Sequence, residues 1–536
     1  MKTALISVYN KEGIVEFAKG LVGLGFKLIA SGGTAKALMD AGLEVTDVAS
    51  LVGGGAILGH RVVTLSREIH AGLLARDIKE DRDELEKLNI PWIDLVCVDL
   101  YPLVEEINKP GSTKESVIEK TDIGGPTMLR SAAKGRRIVV CDPADRLKVV
   151  DWLKAGEPEK EKFIDGLVAK AEAVVADYAL ASARYHGNGC FDGMVGEQVL
   201  TCKYGENGWQ TPAGLYEDKG LIVPDPLRLS AFTVVAGTTP SYNNLADIDR
   251  QLQTITHITA GFDVNYGKVP FVAVGVKHGN PCGTAVGEDA AEVIKKMLEG
   301  DLRAIFGGLV MMNFEITDEL AEVLLTHKMP EGQRRLLDGI IAPAISPTAI
   351  AALKRKGDKC RMLVNPALAN LSKDTLDIHP RFRYVRGGFL RQPNYAFVMD
   401  FKHPQMEIVG EVSQQQKTDM LLAWAVGSTS NSNTVTLVKD GMLLGNGVGQ
   451  QDRVGGCELA VKRAKDAGHN IDEAAAYSDS FFPFTDGTEA LAKAGISAIL
   501  TTSGSVRDKD VKEFCQKQGV ALAMIPDSVA RGFFGH

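Results

Sequence analysis

Over its first 150 residues this chain alternates short apolar runs with segments of helical period, and nothing else in the sequence restricts the fold as strongly. Apolar runs at 3–8, 27–30, 44–48, 93–100 and 137–141 are separated by helical patterns at 14–24, 34–41 and 127–134. Strands that are apolar throughout must be covered on both faces, and strands joined through helices run parallel. The pattern predicts an α/β unit with a doubly wound parallel sheet. An alanine-rich helical stretch at 159–185 closes this unit, and the turn-rich segment 186–193 breaks the pattern. A boundary near residue 195 is expected, dividing a domain at 1–195 from one at 196–536.

The 536 residues are too many for one core, and at roughly 100 to 200 residues per unit they predict three or four folding units. Beyond the boundary, strands at 271–276, 435–438 and 498–502 mix with helices at 290–298, 318–325, 457–467 and 508–518. Two α/β lobes fit this second part, with no strict internal repeat. A net charge of -8 without charge blocks offers no basic face for nucleic acid, so the expected partners are small molecules. Eight cysteines without a C-x-x-C pair fit neither a disulfide framework nor a zinc site, and read as reduced thiols of a cytoplasmic protein. The start, MKTALISVYNKEG, meets charge and glycine too early for a signal peptide, and no apolar run approaches the roughly 20 residues of a bilayer span. No membrane partner is expected.

Ser31-Gly32-Gly33-Thr34-Ala35-Lys36 follows a predicted strand and opens a helix, where free N–H groups and close backbone approach suit a phosphate. An ordinary glycine turn capped by Thr34 explains the same residues. In the second part, Lys277-His278-Gly279-Asn280-Pro281-Cys282-Gly283 puts two ionisable side chains at a strand end, where catalytic groups often lie. Read alone, it is also a plain surface turn.

Taken together, ISVYNKEG, ASGGTAKAL, GHRVVTL, VDLYP and TDIGGPTMLRSAAKG stand in the order found in bifunctional purine-synthesis proteins. The chain resembles the AICAR transformylase/inosinate cyclohydrolase family along essentially its whole length. The resemblance implies a methylglyoxal-synthase-like first domain and a transformylase domain of two cytidine-deaminase-like lobes. It implies formyl transfer from 10-formyltetrahydrofolate to the 5-amino group of AICAR, then closure of the formylated product, FAICAR, to inosinate. A cytoplasmic homodimer with transferase sites between subunits follows from it as well. No metal is needed for the chemistry, and a structural monovalent cation is left open.

By the same resemblance, phosphate contacts fall at Ser7, Lys11, Ser31, Gly33 and Thr34, and substrate contacts at Arg61 and Thr64. Tyr101, Asp122 and Lys134 fall around the reacting groups. Tyr101 and Lys134 would stabilise the formyl oxygen as it gains charge, while Asp122 would orient or deprotonate the carboxamide. Singly, these read as a strand-end aromatic, a solvated helix end and a helix cap. In the transferase part, His278 would take the amine proton, with Lys277 and Asn433 beside it. Cys282 reads as a structural thiol, since direct attack by the amine needs no covalent intermediate. Lys203, Tyr204, Asn244 and Arg531 match nucleotide contacts; Phe482, Phe484 and Asp486 match folate contacts, although by composition such phenylalanines are core.

Four departures stand out. Arg61-Val62-Val63-Thr64-Leu65-Ser66-Arg67 stands where the family reads R-V-K-T-L-H-P, so Val63 replaces a lysine, leaving Arg67 or His60 to supply the charge. Lys203 replaces an arginine and Trp209 a histidine. The lysine usual before the S-N element is absent from Ala425-Val426-Gly427-Ser428-Thr429. Two other readings therefore stay open: a transferase whose first domain no longer closes the ring, and a nucleotide-sensing protein without chemistry.

Overall fold

The structure is a computed structural model that describes residues 2–59, 61–218 and 225–536. The chain divides into two compact units, Met1–Gln198 with Tyr216–Val223, and Val199–Leu215 with Pro224–His536.

In the first unit, β1 (Lys2–Ser7), β2 (Phe26–Ala30), β3 (Val45–Asp47), β4 (Leu95–Val98) and β5 (Ile138–Val140) form a parallel sheet in the order β3-β2-β1-β4-β5. Successive side chains of a strand point to opposite faces. Ala4 and Ile6 therefore enter one core with helices Ile14–Gly23 and Arg146–Lys154, while Leu5 enters another with Arg67–Leu74 and Gly124–Lys134. From β1 the chain moves outward to β2 and β3, then returns on the other side as β4. Strand order reverses between β1 and β4, and such a switch opens a crevice at the carboxyl ends of the strands.

β6 (Gly196–Cys202) and β7 (Ala213–Asp218) pair as a ribbon that is divided between the units. The second unit holds β8 (Thr233–Ala236), β9 (Phe271–Lys277), β10 (Asn280–Gly287), β11 (Leu309–Met312), β12 (Gly339–Ala342) and β13 (Arg361–Val364). After a separate hairpin of β14 (Arg381–Val385) and β15 (Gly388–Gln392) come β16 (Glu407–Val409), β17 (Val435–Lys439) and β18 (Met442–Gly447). The last strands are β19 (Ala475–Ser478), β20 (Ala498–Ser503) and β21 (Ala521–Pro526). All but the ribbon and hairpin join one twelve-stranded mixed sheet, β16-β21-β20-β19-β17-β18-β10-β9-β11-β12-β13-β8.

Read outward from β10 and from β18, the two halves of that sheet repeat one succession, and the antiparallel β10–β18 pair joins them. The two expected lobes thus share a sheet and a topology that the sequence did not display as a repeat. In each half a helix laid into the core follows the first strand, Tyr242–Tyr266 after β8 and Gln414–Ser428 after β16, and every residue from Asp419 to Ser428 is buried.

The turn expected after β9 takes only two residues. His278 (φ 54°) and Gly279 (φ 71°) alone form the loop, and Asn280 already pairs with Lys277. Two left-handed residues match the twist of a tight hairpin, and Asp440 with Gly441 make the same turn between β17 and β18. All eight cysteines are free. Among the described residues no helix is long and apolar enough to cross a membrane.

Candidate active sites

A cleft of about 890 Å³ opens in the first unit where β1 and β4 end. Ser7, Lys11, Ser31, Gly33, Thr34, Arg61, Thr64, Tyr101 and Asp122 all line it. Helix Gly32–Asp40 points its start at the cleft, and Ser31 leaves its hydroxyl off the cap, 3.3 Å from the Ser7 hydroxyl. Thr34 is buried, donating to the Val8 carbonyl at 3.1 Å and accepting from its N–H at 3.2 Å. Free N–H groups, two hydroxyls and the Lys11 ammonium at this end suit an anion. Lys11 donates to the Val8 and Tyr9 carbonyls; partial burial lowers its pKa while Asp99 opposes that shift.

Asp122 sits at the start of helix Gly124–Lys134, where its Oδ1 accepts from Gly125 N at 2.9 Å and its Oδ2 from Tyr101 N at 3.4 Å. Burial raises its pKa against those hydrogen bonds, so the carboxyl holds a proton more readily than in water. Tyr101 stands edge-on to Tyr9 with ring centroids 5.5 Å apart. Asp99 also lines the cleft, accepts from Tyr9 N and Asn10 N, and faces buried Arg146 at 3.5 Å. It lies inside VDLYP, yet only the fold reveals its place.

Lys134 is not brought to this cleft. It is the exposed last residue of helix Gly124–Lys134, whose residues as far as Met128 line the cleft, and at about 1.5 Å rise per residue it lies about 9 Å further along the axis. The solvated helix end describes it better. Arg67 does not line the cleft either: it is exposed and pairs with Glu68 at 3.3 Å. His60 lies outside the described residues.

In the second unit, the first turns of helix Tyr242–Tyr266 gather four segments. Ser241 and Asn244 close a capping box at its start, which commits the Asn244 carboxamide oxygen to Ser241. Asn243 donates to the Glu206 carbonyl at 3.2 Å, tying in the loop that carries Lys203, Tyr204 and the 80% exposed Trp209. One turn on, Asp247 accepts from Gly279 N at 2.6 Å and so holds the Lys277-His278 turn. Burial raises the Asp247 pKa, and the nearby His278 opposes this. Arg250 then donates to the Thr429 carbonyl and to Asn431 at 3.3 Å, and lies 3.9 Å over the Phe534 ring.

Lys277 donates to the Phe306 carbonyl at 2.6 Å, while His278 is exposed. Buried Asn446 donates to the Pro281 carbonyl at 3.3 Å and to Ser430 at 3.2 Å, joining the His278 hairpin to the loop of Asn433. The Asn433 carboxamide donates to the Gln450 carbonyl at 2.9 Å and accepts from Arg453 at 2.8 Å. Arg453 is paired with the fully buried Asp479, which accepts from Thr434 N at 3.0 Å. The end of the chain, bearing Arg531, runs alongside: Ser432 N donates to the Gly535 carbonyl at 3.0 Å and Phe534 N to Ser430 at 2.9 Å. Arg531 itself faces Asp527 at 3.6 Å. Burial pushes the Cys282 thiol up to about 12, in keeping with a structural role.

Phe482 departs from its expected role. It is 1% exposed and packs in the core with Cys457 and Leu491, so no ligand reaches it. Phe484 is 59% exposed and Asp486 opens the following helix, its Oδ1 accepting from Gly487 N at 2.8 Å. Asp247, Arg250, Asn446, Arg453 and Asp479 were not singled out from the sequence. Their one legible signal is the three-residue spacing of Asp247 and Arg250 after Asn244, which puts both on one side of a helix. Among the described residues no group of three or more His, Cys, Asp or Glu side chains is arranged to hold a metal ion.

Comparison with known proteins finds the MGS-like domain family at residues 13–127 and the AICARFT/IMPCHase bienzyme family at 132–463. Bifunctional purine biosynthesis protein PurH of Anoxybacillus flavithermus is 36% identical over 535 residues, covering 97% of this chain and 98% of that protein. A solved structure titled "Crystal structure of ForH" is 35% identical across 36% of this chain and 100% of its own, at a TM-score of 0.32. With one family matched across most of its length and a relative matched from end to end, this chain belongs to the AICARFT/IMPCHase bienzyme family.

Proposed function

We propose that this chain is the bifunctional enzyme that formylates AICAR and then closes FAICAR to inosinate in purine synthesis. The observation that carries this reading is the 36% identity to PurH across 97% of the chain, which spans both units.

In the transferase unit, the 5-amino nitrogen of AICAR attacks the formyl carbon of 10-formyltetrahydrofolate. The bond from that carbon to the folate nitrogen breaks, and tetrahydrofolate leaves with a proton. His278 is the proton acceptor in this reading, with Lys277 and Asn433 near the developing charge. Lys203, Tyr204, Asn244 and Arg531 contact the nucleotide, and Phe484 and Asp486 the folate. In the first unit, Ser7, Lys11, Ser31, Gly33 and Thr34 hold the phosphate of FAICAR, Arg61 and Thr64 its body, and Tyr101 and Asp122 act on the reacting groups. A cytoplasmic homodimer with transferase sites between subunits, and a structural monovalent cation, complete the reading as implications of family membership. Domains at 1–195 and 196–536 carry the two activities.

Mass-spectrometric product analysis with AICAR and 10-formyltetrahydrofolate tests this. Inosinate is the expected product. Accumulation of FAICAR alone would leave a transferase only, the reading that Val63 favours, and unreacted AICAR would leave a sensing protein.

A further inference from the structure

The first-unit cleft lacks the lysine that the family carries at the position of Val63, and Arg67 does not enter it. Three other cationic side chains of the described residues line the cleft from outside the histidines: Lys11, Arg61 and Lys120. Lys11 is turned onto two backbone carbonyls beside Asp99, and Arg61 is paired with Glu119. Lys120 has neither kind of partner among the described residues; its Nζ lies 5.2 Å from the centroid of the Tyr9 ring.

Its position is fixed by contacts on both sides. Tyr178 donates to the Lys120 carbonyl at 3.1 Å and accepts from Asp122 N at 2.8 Å, which clamps the backbone from Lys120 to Asp122. Val63 lies between two points where its own segment meets this one. Arg61 pairs with Glu119, and a Cβ on Gly124 would come within 2.7 Å of the Thr64 hydroxyl. Val63 and Lys120 thus line one cleft from two segments that meet, and Lys120 lies by Tyr9, whose ring packs on Tyr101.

We propose that Lys120 supplies the positive charge of the ring-closure site, in place of the lysine that Val63 replaces. This rests on the cyclohydrolase reading above. In that reaction the carboxamide nitrogen bonds to the formyl carbon and the C=O electron pair moves onto oxygen. The oxygen then leaves as water with two protons, one from the carboxamide nitrogen and one from the formamide nitrogen. The Lys120 ammonium faces the oxygen while it is anionic and lowers the barrier to that state. Burial and Asp122 raise the Tyr101 pKa, and the charge of Lys120 opposes them from nearby.

The test is ring closure of FAICAR by the full chain and by Lys120→Met, Lys120→Gln and Lys120→Arg, with melting midpoints measured on each. Loss of one charged donor predicts a fall in kcat of about 10²-fold for the Met and Gln variants. KM should change by less than about threefold, and the Arg variant should keep at least about a tenth of the activity. Val63→Lys added to Lys120→Met should restore about tenfold or more, which a structural role for Lys120 would not allow. Folded Met and Gln variants with wild-type kcat would overturn the proposal and leave the cyclohydrolase reading intact. A wild-type chain that closes FAICAR no faster than buffer would overturn the reading itself, and the proposal with it.

Discussion

His278 occupies a backbone conformation that side chains of its kind rarely adopt, φ 54°, because the β9–β10 ladder closes with a two-residue loop. The Asp247 bond to Gly279 N holds that loop in place, so an exposed imidazole is presented where two central strands of the sheet end. Removing it in His278→Ala should lower formyl transfer by about 10² to 10⁴ while leaving the melting midpoint nearly unchanged. Steady-state assays beside thermal melts check this, and a wild-type rate would remove His278 from the proton transfer. A second histidine carries a different prediction. His257 is fully buried, bonded through Nδ1 to the Gln253 carbonyl at 2.7 Å and stacked on Tyr395, and burial pushes its pKa down to about 4. The unfolded chain takes up its proton first, at the ordinary value of about 6.5. The stability this residue confers is therefore fully present above about 6.5 and is lost as pH falls towards about 4, by up to about 3 kcal/mol. Melting curves from pH 7 to 4.5 should show a smaller acid-induced drop for His257→Leu than for the natural chain.

At the scale of elements, the two hairpins of the large sheet are pressed by the helices that follow them. A Cβ at Gly283 in β10 would collide with the Met297 carbonyl of helix Ala290–Glu299. One at Gly445 in β18 would collide with the Ala460 carbonyl of helix Arg453–Asp466. Gly283→Ala and Gly445→Ala should each destabilise the protein by about 1 to 3 kcal/mol through overpacking, and by similar amounts because their settings correspond. Gly208→Ala, with nothing within 4 Å of its added carbon, is the control that should stay near neutral in denaturant unfolding. Amphipathic helices such as Asp508–Gln518 were legible in the sequence to their ends, because one face meets water and the other the core. Helices Tyr242–Tyr266 and Gln414–Ser428 were not. Core surrounds them, so no polar stripe marks a period, and Gln251, Thr254 and Thr256 are buried beside Ile255 and Ile258.

Across the whole molecule, the hydrophobic clusters of the first unit are separate from those of the second, so each unit has its own core. Calorimetry should therefore resolve two unfolding transitions. Inosinate at about 100 times its Kd should stabilise only one of them, by about 2.7 kcal/mol. A single transition moved as a whole would contradict two independently folding domains. The sequence by itself determined the parallel sheet of the first unit, the residues that line its cleft at the SGGT turn and the family, because strand and helix periods and that turn are local patterns. It also held Lys277, His278 and Asn433, since each lies in a contiguous motif. Only the tertiary structure decided that Lys134 lies about 9 Å along its helix beyond Met128, the last residue of that helix to line the cleft, that Phe482 is core, and that Asp247, Arg250 and Asn446 hold the transferase segments together. These depend on which surfaces meet after the chain has folded back over hundreds of residues, and no local pattern records that.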